Sequence, residues 1–173
     1  MELDGSALLY TLATLAVTLA GFAAILLVLR QAAGGSLNAI DRFIAKTIVG
    51  HLFFIMGGAL VPPMLARFGL PTSWVWKASA LGFGLPMLAI LLSYNRRRLA
   101  KTGQAAPLII VIVMMMTGSV SIAAMLGYIF LGFAHPEAAY ISAVGINFLT
   151  HACSFVVALE VILGQPVEAN PKA

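Results

Sequence analysis

Few side chains in this sequence can move a proton or hold a metal at neutral pH. There are three histidines, six carboxylates and one cysteine among 173 residues. Two of the histidines, His51 and His151, stand inside long apolar stretches, where an ionisable or polar group is costly and so marks a protein interior or a water path. His51 follows Arg42 by nine residues and His151 precedes Glu160 by nine. At 1.5 Å per helical residue each imidazole sits roughly 14 Å beyond its charged neighbour. If the two segments run antiparallel, the imidazoles share a depth. Asn147 lies one turn from His151 on the same helix face, and Ser154 three residues beyond it. With Tyr140 they form a thin polar stripe on an apolar helix.

Three chemistries suit such a stripe. The first is structural: His51, Asn147 and His151 satisfy one another or nearby carbonyls, as polar groups between membrane helices commonly do. The second is a proton or cation path, in which neutral imidazoles relay charge and Glu160 stands at the mouth; histidine titrates in the range this needs. The third is bis-histidine ligation of haem b, with Gly50, Gly57 and Gly58 admitting a flat ring beside His51. The structural reading leads, and haem, the one cofactor considered, comes last. No metal site is expected.

The remaining polar groups read more simply. Lys46 and Glu160 each stand about one turn inside the same boundary, spaced for an ion pair, and long side chains there also snorkel to headgroups. Asp41 suits a helix N-cap or first turn. Arg96, Arg97, Arg98 and Lys101 fix topology and touch acidic lipid. Met114, Met115 and Met116 point to three faces, which suits apolar filling better than copper. His135 sits beside Pro136 and Glu137 in a loop. No Gly-rich phosphate loop, His-Glu-x-x-His, Gly-x-Ser-x-Gly or Cys-x-x-Cys is present. No enzyme is expected. Cys153 stands alone, so no intrachain disulfide can form.

The elements that must position these groups are membrane helices. Hydrophobic residues make up 61% of the chain and charged ones 9%, too few polar residues to cover a soluble surface. A bilayer core about 30 Å thick takes roughly 20 apolar residues to cross. Five such spans fit one membrane domain, 1–173: about 7–29, 43–65, 74–92, 107–133 and 138–163. Helices are required because lipid offers no partner for backbone N–H and C=O groups. Pro62 and Pro63 end or break the second span, and Pro86 kinks the third near Gly82 and Phe83. Tyr10, Trp74, Trp76 and Tyr94 suit the aromatic belts. The acidic start of the chain lacks the basic n-region of a signal peptide, so the first span stays in the membrane.

Loop charge sets the orientation. Arg30, Arg42, Lys46, Arg96, Arg97, Arg98, Lys101 and Lys172 fall on one side, Arg67 and Lys77 on the other. The more basic side is expected in the cytoplasm, which puts the N-terminus outside and the C-terminus inside. This asymmetry accounts for the net charge of +4 without nucleic acid.

Small residues recur every four positions: Ala16, Ala20, Ala24; Ala78, Gly82 beside Ala80, Gly84; and Ser119, Ala123, Gly127. Such stripes let helices approach closely in lipid, either within one bundle or between copies. The expectation is a five-helix integral membrane protein of a bacterial inner membrane. Its partners are the bilayer and either copies of itself or a larger complex, in which it serves as a non-enzymatic subunit. The alternatives are an ion or proton conduit and a haem electron carrier.

Overall fold

The computed structural model describes residues 3–32, 38–132 and 135–164, with side chains to Leu159. Five helices appear in order: α1 (Ser6–Ala32), α2 (Ala39–Arg67), α3 (Thr72–Thr102), α4 (Leu108–Leu131) and α5 (Pro136–Gly164). All five are long and apolar enough to cross a membrane. Among the described residues there are no strands. The expected single domain, 1–173, can be compared only over these residues; Lys172 and the rest of the C-terminal tail lie outside them.

Local chemistry explains the helix ends. The Asn38 side chain accepts the Asp41 N–H at 2.8 Å, so Asn38 is the N-cap of α2 and Asp41 is its first-turn acid. Pro71 and Pro107 stand at the N-caps of α3 and α4. Gly103 and Gly132 close those two helices with φ of 70° and 67°, a conformation that suits a residue without Cβ. Gly132 therefore ends α4 two residues before the expected boundary. Gly103 lets α3 run ten residues past its expected end at Leu92, carrying Arg96, Arg97 and Arg98 as helical residues.

The two prolines of α2 do not end it. The helix continues through Pro62 and Pro63 to Arg67, with both prolines buried. Proline has no N–H, so Pro62 leaves the carbonyl four residues earlier, that of Gly58, without its helical donor. The Tyr140 hydroxyl of α5 donates to that carbonyl at 2.7 Å. A hydroxyl from the neighbouring helix thus replaces the missing backbone bond. The helix α3 likewise runs through Pro86 without interruption.

Buried apolar residues form three clusters. Ala20 and Ala23 of α1, Ile48 and Leu52 of α2, and Phe155 and Ala158 of α5 meet toward the end where the arginines gather, here the basic end. Leu9, Ile55, Trp76, Phe83, Met125 and Tyr140 belong to the large core toward the other end. Met87 and Leu91 of α3 meet Ile122 of α4. Two glycines make room for side chains of neighbouring helices. A Cβ on Gly58 would strike the Phe83 ring, and one on Gly118 would meet Leu91 at 2.8 Å.

Of the aromatic residues expected at the boundaries, Trp74 and Tyr10 are exposed as a belt requires. Trp76 is 1% exposed and packs on Tyr140, so it is a core residue, while Tyr94 is buried against Phe43. Leucine, isoleucine, valine and phenylalanine cover much of the outer surface, as in Phe22, Val28, Leu108 and Phe130, the pattern of a bundle solvated by lipid.

Candidate functional site

His51 and His151 come together. Their ring centroids are 4.4 Å apart and the ring planes differ by 19°, so the imidazoles stack face to face across the α2–α5 contact. Both residues are buried. The antiparallel course of the two helices brings them to one level, and the Gly58–Tyr140 contact lies seven residues further along α2, about 10 Å away.

The hydrogen bonds around the pair are intrahelical. His51 Nδ1 lies 2.8 Å from the Thr47 carbonyl, and His151 Nδ1 lies 2.8 Å from the Asn147 carbonyl. A carbonyl only accepts, so each Nδ1 carries the proton and each Nε2 is left with a lone pair when the ring is neutral. Asn147 is buried beside them and donates from Nδ2 to the Ala143 carbonyl at 2.8 Å. In lipid a polar side chain has no water to turn to, and the nearest acceptor is the carbonyl one turn back along its own helix. Thr11, Thr14, Thr18, Thr117 and Thr150 do the same. The two histidines and Asn147 therefore meet by packing, with their hydrogen bonds made to their own helices.

Ser154 does not join them. It is exposed and donates to the Thr150 carbonyl at 2.7 Å, while Phe155 takes the inward position at that turn. The buried seam of α5 runs Tyr140, Ala143, Val144, Asn147, His151, Phe155, and a step of three from His151 leaves it. The Glu160 side chain lies outside the described residues, so its pairing with Lys46 is untouched.

The stack leaves no space for haem between the rings. A macrocycle held by two histidines needs Nε2 atoms aimed at each other through one iron, whereas rings in face-to-face contact point their nitrogens along parallel planes. The three glycines expected to admit the ring differ in their surroundings. Gly58 is filled by Phe83, while Gly50 and Gly57 have open space where a Cβ would stand. Among the described residues no group of three His, Cys, Asp or Glu side chains could hold a metal ion.

A cavity of about 560 Å³ lies beside the pair, between α2 and α3 at the basic end. His51 forms part of its wall, with Arg42, Lys46 and Gly50 from α2 and Arg97 and Lys101 from α3. The arginine run of α3 is thus split three ways. Arg96 and Arg97 are both exposed, with Arg97 on the wall of the cavity, and Arg98 is buried, with no hydrogen-bond partner for Nε or Nη1 among the described residues. Arg98 is therefore not the headgroup contact that its place in the run suggests, because three consecutive helical residues face three directions. Arg97 folds back toward the middle of α3, and its Nη2 donates to the Ile90 carbonyl at 3.1 Å.

The sequence carries signals of both the cavity and the Gly58 contact. Arg42 with Lys46 and Arg97 with Lys101 are two like-charge pairs at a spacing of four, each confined to one helix face. Pro62 announces a free carbonyl at Gly58. What the sequence lacked was the partner of each feature, which lies on another helix.

The expected packing stripes divide as well. Ala16 and Ala20 are buried inside the bundle, and so are Ala80 and Gly84. Ala24, Ala78, Gly82, Ser119 and Ala123 face outward, and Gly127 is half-buried. The inward face of α4 is instead Gly118, Ser121, Ile122, Met125 and Tyr128. Ser119, Ala123 and Gly127 are thus not the seam by which α4 joins its own bundle. No protein-family model, curated protein or solved structure matches the chain.

Proposed function

We propose that the protein is a small non-enzymatic subunit of a membrane assembly, built with copies of itself or with a larger complex. Its home is a bacterial inner membrane, with the N-terminus outside and the basic end in the cytoplasm. The observation that carries this reading is the outward direction of Ala78, Gly82, Ser119 and Ala123 on the adjacent helices α3 and α4. Small residues suit close helix contact in lipid, and those of α1 and α3 that are buried are already used that way. The non-enzymatic part is supported by the site itself, where His51, Asn147 and His151 bond to carbonyls of their own helices and, among the described residues, no nucleophile is hydrogen-bonded to either imidazole.

The test is the mass of the particle in a mild detergent. The parent is expected to run as more than one chain, or with a companion protein. Ala123→Ile and Gly82→Ile should reduce that mass while leaving the helical content intact. Ala16→Leu, at a wholly buried position, is the control that should harm the fold itself. A parent that runs as a lone chain would sink the reading.

A second reading, a proton or cation path, is supported by the cavity that ends on His51 and by the contact of His51 with His151. Beyond the pair, Trp76, Phe83 and Tyr140 pack together with almost no exposure. In this reading the chain holds a half-path open to one side, and the far half forms when that aromatic core rearranges or a second subunit completes it.

A further inference from the structure

We infer that the cavity between α2 and α3 binds a phosphate-bearing anion, either the headgroup of an acidic lipid or a free phosphate compound. Four of the chain's ten lysines and arginines line it: Arg42, Lys46, Arg97 and Lys101. Among the described residues no carboxylate lines it. Like charges at a helical spacing of four destabilise a helix, and here two such pairs face each other across one space. An anion placed between them is attracted by both pairs at once.

Topology alone does not account for this arrangement. The positive-inside rule needs basic residues at this end, but it does not need them to converge from two helices on one cavity. Nor does snorkelling explain Arg97. A snorkelling side chain reaches outward to the headgroup level. Arg97 instead reaches back to the carbonyl seven residues earlier, about 10 Å deeper along the helix. One of its five N–H groups is used there, and the guanidinium borders the cavity. Arginine's planar fork with lysines as point charges is the donor set that phosphate oxygens call for.

Size agrees. About 560 Å³ falls within the roughly 300–1,000 Å³ of small-molecule sites and far exceeds the roughly 30 Å³ of a water molecule. At Gly50 an added Cβ would meet nothing within 4 Å, so the glycine borders open space. The inference stands apart from the assembly reading, since every lining residue belongs to one chain.

The full chain in an uncharged detergent gives the test. Its thermal unfolding is followed against inorganic pyrophosphate and, separately, against phosphatidylglycerol. Sodium chloride at matched ionic strength and phosphatidylcholine are the references. A saturable rise in Tm with at least one phosphate-bearing probe, beyond its reference, is expected. A rise with pyrophosphate alone identifies a free phosphate compound, and a rise with phosphatidylglycerol alone identifies a headgroup. Arg97→Gln with Lys101→Gln should raise the half-saturating concentration about tenfold or more. Gly50→Phe keeps all four cations but fills the cavity, and should do the same. Lys46→Gln serves as a third, milder variant, and any variant that folds decides the matter by its own titration. Tm rises that the reference salt and lipid reproduce, or parental half-saturation in the folded variants, would overturn the inference.

Discussion

The stacked imidazoles are packed as one apolar surface and remain available as two bases. Each ring spends its Nδ1 proton on a carbonyl of its own helix, which fixes the tautomer and leaves Nε2 for chemistry. The structural and the relay readings therefore separate cleanly at a single residue. His151→Asn removes the ring but keeps a polar group at the α2–α5 contact. If the pair is structural, the variant should fold and assemble as the parent does, with stability lowered by about 1 kcal/mol through the lost stack. If the pair relays protons, the same variant should fold and lose pH-driven flux in proteoliposomes. Parental flux that survives in both His151→Asn and His51→Asn would remove the relay reading.

At the scale of the element, α2 shows how a helix keeps a proline pair. Pro62 removes a backbone donor, Gly58 offers a bare carbonyl, and Tyr140 supplies a hydroxyl. The coupling can be measured. Tyr140→Phe should lower stability by about 1 kcal/mol, in the range of interhelical hydrogen bonds within membranes. Pro62→Ala restores the helical N–H to the Gly58 carbonyl, so Tyr140→Phe should cost less in that background. The difference is read from a double-mutant cycle in thermal or denaturant unfolding. Equal costs in the two backgrounds would show that the proline and the tyrosine act independently.

For the whole molecule the leading expectation concerns orientation. Seven basic residues gather at one end of the described bundle: Arg30, Arg42, Lys46, Arg96, Arg97, Arg98 and Lys101. If all five helices span, the two chain ends are expected on opposite sides, with the basic end in the cytoplasm. Single cysteines at Asp4 and Gln104, in a Cys153→Ser background, should therefore label from opposite sides. Both positions are exposed. Asp4 is used in place of its neighbour Gly5, which holds φ of +79°, a conformation strained for any residue with a Cβ. Labelling of both cysteines from the outer side would refute this topology.

Composition and hydropathy determined the class of this molecule. Apolar runs long enough to span admit only helices, because each backbone group must find its partner within its own segment. Depth counting was also enough to bring His51 level with His151, since rise per residue is a constant of the helix. Tertiary structure decided the rest. A stripe of small residues reads the same whether it faces the bundle or lipid, so only packing could separate Ala16 and Ala20 from Ser119 and Ala123. Pro62 looked like a terminator because the hydroxyl that replaces its missing hydrogen bond lies 78 residues away on α5. Four cations that sequence assigned to a boundary became the wall of one cavity when α2 and α3 were set side by side. Local pattern fixes what a residue needs, and only the neighbouring helix fixes whether and how that need is met.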